Sequence, residues 1–193
     1  RDYMKKYPGI KLNIYCCSME NLMEMLEHGQ LDVALSYKPL QSYDDIDSHI
    51  LFNSNLCVIA GKDNPVAKKE RIRLAELENL PLVLPAKGLQ ARNAFDSLLY
   101  GQNFKFDVRL EINDLSMLLD MVSRTNLVTL LSGATIHSNK NFVAISLDHP
   151  HSEMQGSFHL LKGTYCKNAT KEFLKMLVEN NSFLMAMEAI ANR

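Results

Sequence analysis

The chain has no tryptophan, and only four cysteines, eight glycines and six prolines in 193 residues. These shortages exclude several classes. With no CxxC or Cys/His spacing, the cysteines supply neither a zinc ligand set nor a disulfide framework. Cys16, Cys57 and Cys166 lie in or beside apolar runs and are expected to be buried thiols, leaving Cys17 as the accessible one. Low glycine and proline rule out collagen-like and low-complexity chains. No apolar run approaches the ~20 residues of a membrane span. The start, Arg1-Asp2-Tyr3-Met4-Lys5-Lys6, lacks the apolar stretch of a secretion signal, so a cytoplasmic protein is expected. An excess of base is also missing. Lys and Arg total 21 against 22 Asp and Glu, a net charge of -1 that gives this segment little attraction for nucleic acid.

Catalytic signatures are absent as well. There is no Gly-x-Ser-x-Gly elbow, phosphate loop, dinucleotide fingerprint or His-Glu-x-x-His helix. His149-Pro150-His151 reads as an exposed connection rather than a metal clip, and Asn168-Ala169-Thr170 as a helix cap. The expectation is a protein that is not an enzyme, with no catalytic residue, metal or cofactor.

What the sequence does hold is alternation. Leu12, Ile14 and Cys16 face opposite to Lys11, Asn13 and Tyr15, which predicts a strand over 11–16. Ser18 caps a helix with Met19, Leu22, Met23 and Leu26 on one face, closed by Gly29. A buried strand at 31–35 completes a parallel βαβ unit. Further strands are predicted at 56–60, 82–84, 106–112, 127–131, 142–147 and 157–161. Helices are predicted through Ala91–Leu99, Leu115–Val122, Asn168–Leu177 and Phe183–Ile190. Strands and helices in this order predict an α/β architecture with mainly parallel sheets flanked by helices.

Particular words in this order carry a resemblance. Tyr7-Pro8-Gly9-Ile10-Lys11-Leu12 precedes Gly29-Gln30-Leu31-Asp32-Val33-Ala34-Leu35. Asn64-Pro65-Val66-Ala67, Ile72-Arg73-Leu74-Ala75-Glu76-Leu77, Pro81-Leu82-Val83-Leu84-Pro85 and Val128-Thr129-Leu130-Leu131 follow. Together they resemble the effector-binding (substrate-binding) domain of LysR-type transcription regulators over residues 3–177. The resemblance departs at Thr125-Asn126-Leu127 and Ser132, where the family uses Gly-x-Gly and proline. It also implies a first strand, in the middle of the first sheet between 11–16 and 31–35, that this sequence does not contain.

The fold so implied is the two-lobed, type 2 periplasmic-binding-protein-like fold. Lobe I is expected from residues 1–60 plus 151–193 and lobe II from 61–150, with crossings near Gly61 and Asp148–Pro150. Ligands of open α/β sheets bind beyond the strand carboxyl ends, where helix N-termini favour anions. That places the candidate effector contacts at Cys17, Ser18 and Met19, at Lys87, Gly88, Leu89 and Gln90, at Asn113 and Asp114, and at Ser132. The expected partners are a small-molecule effector (a carboxylate in view of Lys87) and a second copy, as homodimer or homotetramer. DNA would be met only through an N-terminal domain outside this sequence, and no membrane is involved. A stand-alone solute-binding protein of the same fold is the alternative, and an enzyme on this fold, of deaminase or dehydratase type, a more distant one.

Overall fold

The computed structural model describes residues 1–39, 41–136 and 139–180. A short helix α1 (Asp2–Lys6) is followed by α2 (Met19–Glu27), β1 (Ala34–Tyr37), and a long β2 (Ile46–Gly61). Then come β3 (Arg71–Ile72), β4 (Pro81–Pro85), α3 (Gln90–Leu98), β5 (Asp107–Ile112) and α4 (Leu115–Arg124). β6 (Thr129–Ser132), β7 (Phe142–Leu147), β8 (Glu153–Leu161) and α5 (Asn168–Asn180) complete the order, with 3-10 turns at Pro65–Lys68, Leu74–Asn79 and Gly133–Ile136. The helix expected over Phe183–Ile190 lies outside the described residues.

β2 organises the molecule. Its first part, Ile46–Asn55, pairs antiparallel with β8, which in turn holds β1. Its last part pairs antiparallel with β6 through Leu56–Ile59 and with β7 through Cys57–Gly61. β3 lies beyond β7, and the β4–β5 pair joins this second sheet where Leu82 bridges Val128. The chain was expected to cross between lobes near Gly61 and near Asp148–Pro150. By pairing it changes sheets at Asn55–Leu56 on the way out and at Ser152–Glu153 on the way back, where Leu56 N–H donates to Ser152 O at 2.7 Å.

The α/β class matches expectation, but the sheets are not mainly parallel. Among the described residues, only β3–β7, β4–β5 and the Leu82–Val128 bridge run parallel. Because β2 passes through both sheets, the strands that return beside it must run against it. The expected βαβ unit also loses its first strand. Residues 11–16 form no strand, Ile14 is 82% exposed, and Leu12, Tyr15 and Cys16 are exposed too. An extended segment keeps regular strand geometry only when a neighbour takes its backbone hydrogen bonds. None of the strands among the described residues does so here. Cys16 is therefore not the buried thiol expected, and Cys166 is half-buried, while Cys57 is buried and Cys17 half-buried.

The helices follow their sequence logic. Ser18 Oγ accepts Asn21 N–H at 3.3 Å and caps α2, and Gly29 ends it at φ 67°. Asp114 caps α4 by accepting Met117 N–H at 2.7 Å. α3 buries Phe95 and Leu98 against Leu56, Val58, Leu82, Leu84 and Leu130. At ~1.5–3 kcal/mol for each large apolar side chain removed from water, this cluster is the main anchor of the second sheet. A smaller cluster of Met19, Leu22, Met23, Leu26, Ala34 and Ile46 holds α2 on the first sheet.

Candidate functional site

The start of α3 comes to the start of α2 and the end of β1, joining the two sheets by contacts beyond the β2 and β8 crossings. A Cβ placed on Gly88 would stand 3.7 Å from Ser18 Cβ and 3.8 Å from Glu20 Oε2. Gly88 has φ +87°, a conformation that glycine adopts without strain, so its backbone can face α2 at this range. Two positions on, Gln90 Oε1 accepts the backbone N–H of Tyr37 at 2.5 Å.

Tyr37 then leads to a third set of residues. Its ring packs edge-on against Phe52 with centroids 6.1 Å apart, and its hydroxyl lies in reach of the Ser132 and Thr135 hydroxyls. Ser132 Oγ donates to Ser54 Oγ at 2.7 Å, and the Ala134 N–H approaches both oxygens at 3.2 and 3.3 Å. Burial pushes the Tyr37 phenol up, against a smaller lowering by those two hydroxyls, so it is a proton donor at neutral pH.

Arg92 fixes α3 in this position. Its guanidinium is nearly buried and reaches Asp96 and Glu111 at 2.8 Å each and the Pro85 carbonyl at 3.2 Å. One arginine thus ties the first turn of α3 to the carboxyl ends of β4 and β5. The Arg92/Asp96 spacing of four was visible in the sequence, but Glu111 was not, because its approach depends on how the strands pair.

The predicted contacts divide accordingly. Gly88 meets Ser18, Gln90 holds the Tyr37 backbone and Ser132 lies beside the Tyr37 hydroxyl, with Leu89 between Gly88 and Gln90 in the chain. Tyr37, Glu20, Ser54 and Thr135 were missed by sequence reasoning. Only the serine and threonine carried a recognisable signal, as polar residues beside strand ends. Lys87 is exposed in the same loop. Met19 is buried in the core under α2, so its side chain is packing. Cys17 lines a separate cavity of about 360 Å³ with Asn21, Glu24, Met25, His28 and Gln30. Asn113 is exposed, and the Asp114 carboxylate is engaged as the α4 cap. A second cavity, about 480 Å³, lies near the amino ends of β4 and β5, lined by Glu78, Asp107, Arg109 and Asn126 among others.

Two antiparallel-linked α/β sheets with helix starts meeting between them define a two-lobed ligand-binding domain. The family model of the LysR substrate binding domain matches residues 1–182, and the chain belongs to that family. Among curated proteins it is similar to the HTH-type transcriptional activator CmpR of Synechocystis sp., with 29% identity over 112 residues, 58% of this chain and 36% of that protein. It is likewise similar to the HTH-type transcriptional regulator AlsR of Bacillus subtilis, with 28% identity over 127 residues, 64% of this chain and 41% of that protein. The chain thus spans less than half the length of these relatives.

Among solved structures, the regulatory domain of Synechocystis CcmR in complex with 2-PG superimposes with a TM-score of 0.79 at 22% identity, covering 92% of this chain and 86% of that one. The effector binding domain of QuiR in complex with shikimate gives 0.73 at 17% identity with the same coverage. These likenesses establish the fold, which is the type 2 periplasmic-binding-protein-like fold.

Proposed function

We propose that this chain is the sensing part of a LysR-type transcription regulator and that a small-molecule effector binds where Ser18, Gly88, Gln90, Tyr37 and Ser132 converge. We further propose that residues 1–55 with 153–180 act as one lobe and 56–152 as the other. The observation that carries the reading is the bridge from Gln90 to the Tyr37 backbone beside the approach of Gly88 to Ser18. A ligand inserted there contacts both lobes and so biases the angle between them. DNA contact belongs to helix-turn-helix residues outside this sequence, and assembly as a dimer or tetramer would convert the lobe angle into their spacing. In this reading the domain acts in the cytoplasm and catalyses nothing.

A carboxylate is the favoured ligand class. The amino end of α2 at Ser18 lies against Gly88 in the loop that leads into α3, Lys87 is the cation in the same loop, and the CcmR and QuiR domains were solved with 2-PG and shikimate. Glu20 opposes the charge, which gives the reading a two-sided test. In calorimetric titrations with small carboxylates, Lys87→Ala should weaken binding and Glu20→Gln should strengthen it. Each change should be roughly threefold to tenfold, the ~1 kcal/mol of a partly screened charge pair. Both variants leaving carboxylate affinity unchanged would remove the charge argument, and stabilisation only by cations would reverse it.

A further inference from the structure

We infer that the effector seats an uncharged oxygen, a hydroxyl or a carbonyl, on the hydroxyl cluster of Tyr37, Ser132 and Thr135. This rests on the cleft reading above and names the part of the ligand that the cleft's inner wall selects.

Tyr37 is 8% exposed, and its hydroxyl is fully buried. Although Ser132 and Thr135 are within reach, the Tyr37 hydroxyl makes no hydrogen bond of ordinary geometry to a protein group. Ser132 Oγ is already engaged with two other groups, donating to Ser54 Oγ and accepting the Ala134 N–H. A buried hydroxyl without a partner destabilises a protein, and folded chains satisfy nearly all such groups. Tyrosine here therefore has a cost that phenylalanine would not, since the ring alone supplies the packing against Phe52. The cost is explained if a ligand completes the bond.

Position and polarity say which part of a ligand that is. Tyr37 ends β1, and its own N–H is held by Gln90 on the first turn of α3, so the residue that carries the phenol is anchored at the lobe contact. The hydrogen bonds of Ser54, Ser132 and Ala134 and the ring contact of Tyr37 involve no charged side chain among the described residues. A carboxylate oxygen placed in so buried a neutral pocket would lose its hydration uncompensated, whereas a hydroxyl or carbonyl oxygen accepts the phenol proton without that loss. The charged end of the effector then lies outward, toward the Gly88 loop.

Tyr37→Phe tests this in two measurements on the whole chain. Without ligand, the variant should melt about 2–6 °C above the parent, because the orphaned hydroxyl is gone. With ligand, three hydroxy acids (glycolate, glycerate and shikimate) are compared with acetate, propionate and cyclohex-1-ene-1-carboxylate, the same acids without hydroxyls. At least one hydroxy acid should bind the parent more tightly than its partner, and Tyr37→Phe should reduce that advantage by fivefold or more. A lower melting temperature for Tyr37→Phe means the hydroxyl is satisfied in the protein, and the seat is wrong. So does the absence of any hydroxyl preference. Gln90→Ala separates the two readings: if it abolishes binding while Tyr37→Phe does not, the cleft stands and the seat falls. If neither variant alters binding, the cleft reading falls with it.

Discussion

Taking the pH from about 7 to about 4.5 should remove most of ~3 kcal/mol of folding stability, through the single side chain His159. His159 sits in the middle of β8 and is completely buried. Ser36 Oγ gives its one proton to the Tyr37 carbonyl at 2.9 Å, so the imidazole Nε2–H donates to Ser36 Oγ, at 2.6 Å. Nδ1 then accepts the Ser48 hydroxyl proton at 2.8 Å. Both ring nitrogens are engaged, one to β1 and one to β2, and only the neutral tautomer fits. Burial first, and His49 nearby second, push its pKa down from 6.5 to about 4.

The direction follows from linkage. The unfolded chain takes up the proton at about 6.5 and the folded chain only near 4, so the contribution is complete above 6.5 and disappears as pH falls between the two. The gap between 6.5 and about 4, at ~1.36 kcal/mol per pH unit, gives the figure of about 3 kcal/mol. Glu76, whose carboxyl is held down to about 2 by Lys69 and by the Arg73 backbone and side chain, loses its contribution only below 4.5. The window from pH 7 to 4.5 therefore separates the His159 contribution from that of Glu76. Urea unfolding at stepped pH should show this loss, and His159→Gln should lower stability at pH 7 while flattening the profile. A parent profile already flat between pH 7 and 4.5 would mean that His159 is not the buried neutral group described.

The second large effect is expected at Gly156, where β8 pairs with Phe52 at the bulge in β2. A Cβ there would clash with the Cε1, Cζ and Cδ1 carbons of the Phe52 ring. Gly156→Ala must displace that ring, which packs edge-on against Tyr37, and overpacking of this kind costs ~1–3 kcal/mol. The test is a double-mutant cycle with Phe52→Leu, measured by chemical denaturation. The smaller side chain should absorb the methyl, so the pair should be at least ~1 kcal/mol more stable than additivity allows. Strict additivity would place the cost in the backbone instead of the ring.

Much of this fold was legible in the residues, for reasons that differ by element. The periodicity of Met19, Leu22, Met23 and Leu26 and the run from Phe142 to Leu147 are local signals, and α2 and β7 appear where they predict. The words from Tyr7-Pro8 to Leu130-Leu131 carried the family, which local periodicity alone could not have done. The front half of β2 was missed because Asp47, Ser48, His49 and Asn53 are exposed and polar, so no apolar alternation marked it. Residues 11–16 carried that alternation and still form no strand, since strand formation is a property of a pair. At the site, Ser18, Gly88, Gln90 and Ser132 were readable as strand-end residues. Tyr37 was hidden, because a tyrosine just past the apolar stretch that ends at Leu35 carries no sign of a site until its hydroxyl is found beside Ser132 and Thr135.

The most direct test of the sensing cleft is amide chemical-shift mapping of the isotopically labelled chain, titrated with the same hydroxy acids. The account predicts the largest changes at Ser18, Tyr37, Gly88–Gln90 and Ser132–Thr135, saturating together, with the α2 outer cavity at His28 and the lower cavity at Arg109 unaffected. Changes confined to either of those cavities, or no saturable change anywhere, would contradict it.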